Sequence, residues 1–256
     1  MGRSKGVISM NVQSNTGRYD KPGRTECAVC RSGFCRRLSG SNRLAGQRFK
    51  TMKRGERVER QPGKKNLFWV VLDGAVAVCA NLYDGRRQIV EVQMPGDVVH
   101  PPGGVEGAEW AIEALSGSKL CELVMTEADD TEPQDMEFLK TMADFDQSKL
   151  ARLAVHTVGL GRLDGTERIC QFLADMARRQ GNGRETDVEV NLPMSRDDIA
   201  DYLGLKAETV SRLLGRIRKA NLAIFDSPTK CHVPSIRALE KHARIFLPRP
   251  EMAAIA

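Results

Sequence analysis

The sequence predicts an α+β fold, with a β-barrel or sandwich domain first, a long helix next and a winged helix-turn-helix last. Glycines at 63, 74, 85 and 96 recur every eleven residues between short β-type segments, a spacing typical of barrels and sandwiches. After Pro133, an apolar repeat of three and four residues indicates a long helix. Two short helix patterns then meet at Gly204, as they do in a helix-turn-helix.

Composition and charge narrow the class of protein. With 256 residues, 41% hydrophobic and 28% charged, the chain resembles a globular protein with room for two modest domains. No apolar run is long enough to cross a bilayer, so we expect a cytoplasmic protein without a membrane partner. Residues 1–60 carry 15 basic and 4 acidic side chains, residues 61–160 carry 8 and 16, and residues 161–256 carry 16 and 13. This distribution is compatible with a nucleic-acid partner but does not establish one.

The N-terminal domain is predicted over residues 25–130, after a disordered basic tail at 1–24 that is poor in large apolar side chains. A cysteine-bearing segment opens the domain, and its β character begins near Met52. Asp73-Gly74 and Asp84-Gly85 are strong turn dipeptides. The predicted strands lie at 67–72, 75–78, 88–92 and 120–124.

A long helix is predicted over residues 131–160, and its apolar repeat resembles the seam of a coiled coil. Such a seam favours a homodimer because two copies of the helix bury it against each other. Asp146 interrupts the repeat: on the seam it would face its symmetry mate, which is costly, whereas at the edge of the seam it would be solvated. The predicted dimerisation residues are Met136, Leu139, Ala143, Asp146, Leu150 and Leu153.

The C-terminal domain is predicted over residues 161–250, beginning with a helix at about 166–179. Ser195 has the context of a helix N-cap, with Asp198 three residues later to complete a capping box. This helix ends at Gly204, and a second helix runs from 207 to 220. Two further β-type segments follow, at 222–225 and 231–233, and predict the hairpin of a wing.

The second helix of this pair divides into an apolar and a polar face. Its apolar stripe repeats at i, i+3, i+4 and i+7 and is expected to face the core; it consists of Val210, Leu213, Leu214 and Ile217. The opposite face is expected to read base edges in the major groove, and carries Glu208, Ser211, Arg212 and Arg216. Arg218 and Lys219, near the far end, suit phosphates. The alternative is a small helical bundle whose charged face is merely solvated.

Residues 194–219, and above all the run 208–214, resemble the recognition element of the Crp/Fnr transcription regulators. The resemblance extends over about 50–245 and implies a β-roll of the cyclic-nucleotide-binding type, a dimerisation helix and a winged helix-turn-helix. The Glu-x-x-Ser-Arg arrangement is that of the Fnr branch. It implies that Glu208, Ser211 and Arg212 read each half of a TTGAT…ATCAA palindrome in double-stranded DNA, with RNA polymerase as a further partner.

A cyclic nucleotide is not expected in the β-rich domain. Its phosphate charge needs a buried cation, which the cyclic-AMP-binding relatives supply as an arginine after a Gly-Glu turn. Here the corresponding stretch begins at Pro95-Gly96-Asp97, and no lysine or arginine occurs between Arg87 and Lys119.

Three of the seven cysteines, Cys27, Cys30 and Cys35, fall within nine residues and are surrounded by arginines that favour the thiolate form. A zinc ion or an iron–sulfur cluster normally needs four ligands. Cys79 and Cys170 fit apolar core positions, and Cys231 lies in the predicted wing. The run 113–122 resembles the segment that carries the distant fourth cluster cysteine in Fnr proteins, which implies that Cys121 completes an oxygen-responsive [4Fe–4S] site.

Other interpretations of the cysteines stay open. They are zinc ligation, thiol oxidation without a metal, and a buried structural role for Cys121. A metal-free regulator of the same fold, constitutive or controlled by thiol redox or another ligand, is the alternative to the iron–sulfur sensor. An enzyme is not expected, because the four histidines are scattered and neither a nucleophile motif nor a phosphate-binding loop occurs. The histidines are His100, His156, His232 and His242.

Overall fold

A computed structural model describes residues 44–59, 67–99, 109–125 and 133–244. The predicted tail at 1–24, the three clustered cysteines and His100 lie outside the described residues. Eight strands within this part form the N-terminal domain. They are β1 (Leu44–Met52), β2 (Arg57–Glu59), β3 (Leu67–Asp73), β4 (Val76–Asn81), β5 (Arg87–Gln93), β6 (Val98–Val99), β7 (Glu109–Ala114) and β8 (Ser118–Met125).

These strands form two antiparallel sheets, in the orders β1-β8-β3-β6 and β2-β7-β4-β5. The core of the domain contains Trp69, Val71 and Leu120 from the first sheet and Val78 and Ile112 from the second. Because successive side chains of a strand point to opposite faces, Cys121 belongs to a different apolar cluster from Leu120. The predicted β-roll is therefore confirmed.

Both predicted turn dipeptides are confirmed. Gly74 and Gly85 have φ of 75° and 87°, in the left-handed region that favours glycine. At Gly74 the space is closed as well, since a Cβ atom there would collide with the backbone of Gly117 and Ser118. The turn can therefore lie directly against the start of β8.

The predicted long helix is helix α1 (Pro133–Arg162). Half-buried Met142 and Phe145 pack against an apolar cluster on the outer side of the first sheet, which includes Val70, Cys121 and Leu123. The helix continues through Gly159, where a Cβ atom would collide with the side-chain amide of Gln171. Gln171 donates from Nε2 to the carbonyl of Val155 at 3.2 Å.

The C-terminal domain consists of four helices and a three-stranded sheet within the described residues. In chain order they are α2 (Gly165–Gln180), β9 (Thr186–Asn191), α3 (Arg196–Leu203), α4 (Ala207–Lys219), β10 (Ile224–Ser227), β11 (Lys230–Ser235) and α5 (Ile236–Ala243). The sheet order is β10-β11-β9. The predicted wing hairpin is thus present, and β9 extends it to three strands.

The β domain begins earlier than the sequence suggested. We placed the start of β character near Met52, whereas β1 begins at Leu44. This strand lies at the sheet edge and pairs with β8 alone. Edge strands tolerate polar side chains, so Gln47, Arg48 and Lys50 concealed its strand pattern.

None of the described helices is long and apolar enough to span a bilayer.

Candidate DNA-binding surface

Helix α3 starts with the capping box that the sequence predicted. The Ser195 hydroxyl accepts a hydrogen bond from the Asp198 N–H at 3.1 Å, and the Asp198 carboxylate accepts from the Ser195 N–H at 2.8 Å. Ile199 and Leu203 bury the inner face of the helix. At its end Gly204 has φ of 63°, a conformation that glycine adopts at little cost. The chain can therefore turn sharply into α4.

Helix α4 has the two faces that its amphipathic pattern predicts. Its apolar stripe lies in the core of the domain, and its members Val210, Leu213, Leu214 and Ile217 are all buried. The polar side is exposed along its length, at Glu208, Ser211, Arg212, Arg216, Arg218 and Lys219. We call these six residues the recognition face.

The side chains of the recognition face are available to a partner. No hydrogen bond or ion pair ties them to other residues within the part of the chain that the structure describes. Guanidinium, hydroxyl and carboxylate groups are those that read base edges in the major groove. The cations in the last turn of α4 suit the phosphates beside the groove. The recognition face therefore presents the chemical groups that the predicted roles need.

Arg196, in the first turn of α3, is a candidate that the sequence analysis missed. Its side chain is half-buried, and its Nη1 has no hydrogen-bond partner among the described residues. Burial lowers the pKa of Arg196. In helix-turn-helix proteins the first helix crosses the DNA backbone, so an arginine in the first turn of that helix is a candidate for a phosphate contact. Its position beside the predicted N-cap was the available signal.

Cys121 lies on β8 with 2% of its surface exposed. It belongs to the cluster that Met142 and Phe145 of α1 cover, outside the core between the two sheets. Phe49 of β1 is its partner across the strand pair. Any group attached to Cys121 would therefore lie close to both β1 and α1.

The other described cysteines are buried core residues, as the sequence predicted for two of them. Cys79, Cys170 and Cys231 are fully buried. Burial raises the pKa of each thiol to about 12, so the protonated form dominates at neutral pH. Within the described part of the chain, no group of three or more His, Cys, Asp or Glu is placed to hold a metal ion.

The predicted dimerisation residues mostly lie on one exposed side of α1. Met136 and Leu150 are 55% and 65% exposed, and Leu139, Ala143 and Asp146 are exposed as well. Leu153 differs, since it is half-buried. Val158, which was not predicted, is also exposed, at 50%. An apolar stripe of this kind is typical of a helix that meets a second copy.

We expect Lys219→Ala to weaken binding to every DNA duplex by a similar factor. A phosphate contact carries no sequence information, and its loss should reduce the slope of log affinity against log salt concentration by about 1. Titrations of palindromic and random duplexes at several salt concentrations measure both quantities.

Lys241→Ala is the matched control, because Lys241 is an exposed lysine on α5, outside the helix-turn-helix. A selective loss on the palindrome alone in the Lys219 variant would contradict its assignment to phosphate.

Comparisons with known proteins agree with this geometry. The family model of the Crp-like helix-turn-helix domain matches residues 167–242. The chain is 34% identical over 180 residues to the nitrogen fixation regulation protein FixK of Rhizobium meliloti. This match covers 70% of this chain and 80% of that protein. It is 24% identical over 218 residues to the transcriptional activator protein FnrL of Cereibacter sphaeroides, with 81% and 86% covered.

A solved structure shows the same architecture. The structure of FixK2 from Bradyrhizobium japonicum matches with a TM-score of 0.65 at 27% identity, and the match covers 76% of this chain and 96% of that one.

Proposed function

Since the chain belongs to the Crp/Fnr family of DNA-binding transcription regulators, we propose that it binds palindromic DNA as a homodimer under the control of oxygen. In this proposal Cys27, Cys30, Cys35 and Cys121 hold a [4Fe–4S] cluster. The half-sites are of the TTGAT type and are read by Glu208, Ser211 and Arg212. The observation that carries the sensor proposal is the position of Cys121, beneath the helix whose other side is the exposed apolar stripe.

The chain is long enough to bring the clustered cysteines to Cys121. Strand β1 begins nine residues after Cys35, and its first residue Leu44 lies opposite Met125 of β8. Nine residues span up to about 30 Å when extended. Cys121 lies four residues along β8 from Met125, or about 13 Å at the usual strand rise. The reach of the segment therefore exceeds the distance that it has to cover.

The donor set fits the proposed group. Four cysteine thiolates are the usual ligands of a [4Fe–4S] cluster. Cys121 is also the one described cysteine of the β-roll that lies outside both large cores, since Cys79 belongs to the core shared with the C-terminal domain. When bound, such a cluster supplies a group that oxygen degrades.

The remaining steps belong to the protein itself. Met142 and Phe145, on one side of α1, pack against the apolar side chains that surround Cys121. Met136 and Leu150 are exposed on another side of the helix. A change in how α1 packs on the sheet therefore alters the surface presented to a second copy. Dimerisation in turn sets how two recognition faces meet two successive half-sites. In this way, binding of an iron–sulfur cluster at Cys121 is coupled to the affinity for DNA.

Cys121→Ala tests the sensor. We expect the variant, purified without oxygen, to lose the visible absorption, iron and acid-labile sulfide of the native protein. Its affinity for the palindrome should fall to that of the air-exposed protein, because a three-thiolate site lacks a ligand.

Cys79→Ala is the matched control, since it removes a second buried strand cysteine of the same domain; it should keep both the iron and the oxygen response. A colourless, iron-free native protein after strictly anaerobic purification would rule the cluster out.

A metal-free regulator is the second candidate, and the burial of Cys121 favours it. A thiol that is 2% exposed among Val70, Val98 and Leu123 has the surroundings of a structural cysteine. If the metal-free regulator is constitutive, Cys121→Ala binds the palindrome equally well with and without oxygen, and so does the native protein. The same titrations therefore separate the two candidates.

A further inference from the structure

The outer face of the second sheet is packed against the C-terminal domain. Ala77, Ile89 and Val92 belong to one continuous apolar cluster that also contains Ile199 of α3 and Val210 of α4. This contact excludes water. Apolar packing is non-directional, so the ion pairs and hydrogen bonds that cross the same contact add the directional constraints.

Directional contacts are concentrated on Arg87, the first residue of β5. Its Nη2 bonds Asp198 of α3 at 2.6 Å, and its Nε bonds Asp201 of the same helix at 2.8 Å. Its Nη1 bonds Glu113 of β7 at 2.5 Å. The guanidinium is 18% exposed and thus joins one carboxylate of the roll to two of α3. A planar guanidinium with three partners holds both position and angle.

Asp198 is the most constrained of these partners. It is the buried residue that completes the capping box of α3, and it accepts from the Ser195 hydroxyl at 2.8 Å. Arg54, from the turn between β1 and β2, also bonds it at 2.5 Å. Asp198 therefore both caps the first helix of the helix-turn-helix and bonds two arginines of the β-roll, Arg54 and Arg87.

Two further contacts tie the same strand to the C-terminal domain. Gln88 donates from Nε2 to the carbonyl of Tyr202 at 3.2 Å, near the end of α3. Arg179 of α2 donates to the carbonyl of Val92 at 2.9 Å and pairs with Asp97. Strand β5 thus contacts α3 through its first two residues, Arg87 and Gln88, and contacts α2 through Val92 near its end.

We propose that Arg87 is a positioning residue for DNA recognition. It does not lie on the recognition face; it sets the angle of α3 against the roll, and α4 follows because the two helices share a buried core. In a dimer this angle decides the separation at which the two recognition faces meet their half-sites. Loss of Arg87 therefore relaxes the preference for one half-site spacing and leaves non-specific binding intact.

The test compares Arg87→Ala with Arg86→Ala. Arg86 is the adjacent arginine, 77% exposed and paired with Asp84 of its own turn, so both variants lose the same charge. Affinities are measured for palindromes of the native spacing, for palindromes with one base pair added or removed, and for random duplexes. Arg87→Ala should bind the native spacing about tenfold more weakly, discriminate less among spacings and bind random DNA like Arg86→Ala.

Two more variants keep the test decisive if Arg87→Ala folds poorly. Asp201→Asn removes one partner of Arg87 without touching the helix cap, and should shift the spacing preference in the same direction by a smaller factor. Arg87→Lys keeps a charge at this position and should restore part of the discrimination. A uniform loss on all duplexes, or an unchanged spacing preference in both Arg87→Ala and Asp201→Asn, would overturn the proposal. The assay needs only the form of the protein that binds DNA, so its outcome does not depend on a cluster.

Discussion

Arg212→Ala should cost about 1–3 kcal/mol of binding free energy at each half-site, because a bidentate arginine–guanine pair contributes about that much discrimination. Arg212 is exposed on α4 and lies outside the buried stripe that begins at Val210, so its removal leaves the core of the domain intact. Both half-sites of a palindrome lose the contact at once. The full palindrome should therefore lose about twice the free energy that a single half-site loses. Fluorescence anisotropy titrations with full and half operators measure the two values.

The loss of affinity in Arg212→Ala should depend on the guanine of each half-site. A duplex in which the guanine of each TTGAT half-site is replaced should bind native and variant protein with nearly equal affinity, since the contact is already absent. Arg218→Ala is the matched control, because it removes an exposed arginine from the last turn of the same helix. It should weaken all duplexes alike and keep the preference for guanine. Equal losses from Arg212→Ala on every duplex would contradict direct reading.

The sequence predicted the helix-turn-helix in detail because its signals are local. The capping box at Ser195, the glycine that ends α3 and the amphipathic repeat of α4 each lie within a few residues. Every buried and exposed position of α4 follows from a period of 3.6 residues. The structure confirms this division without exception at the ten positions that the sequence assigned to a face or to phosphate.

Strands with weak patterns were harder to predict. Strand β1 carries polar residues because it lies at a sheet edge, and β9 is short, with only Val188 and Val190 facing the core. Strand β7, with Trp110 and Ile112, follows a glycine-rich stretch that concealed its start. A period of two over six residues is a weak signal in a single sequence.

The contacts between domains could not be predicted at all. Arg87 and Asp198 are 111 residues apart in the chain, and no local pattern marks them as partners. In the sequence Arg87 was notable only as the last cation before a long stretch without any. Its partners emerge only when the second sheet packs on α3. Long-range ion pairs of this kind depend on tertiary structure that a linear pattern does not encode.

Helix α1 shows the same limit within a single element. It has two apolar sides, one with Met142 and Phe145 against the sheet and another with Met136 and Leu150 exposed. A repeat of three and four residues finds apolar positions but does not decide which side meets which partner. Leu153 was therefore assigned to the seam although it is half-buried within its own chain.

Leu150→Glu should convert the dimer into a monomer and lower the affinity for a palindrome by about a hundredfold or more, because the two half-sites are then bound independently. Leu150 is 65% exposed, so the change removes little packing within one chain. In a symmetric helix pair each new carboxylate would face its mate or its near neighbour, close to Asp146, and buried like charges are strongly unfavourable. Sedimentation equilibrium gives the mass, and titrations with full and half operators give the affinities.

The position of the new charge decides the outcome, and Ser148→Glu is the control that shows it. Ser148 is exposed on the same helix. It lies two residues before Leu150, which places it about 160° away from Leu150 around the helix axis. Its carboxylate would therefore point away from the seam, and the variant should stay a dimer with native affinity. Half-operator binding should be unchanged in both variants, since the recognition face is intact. A dimeric Leu150→Glu protein that binds the palindrome tightly would show that the exposed stripe of α1 is not the dimer interface.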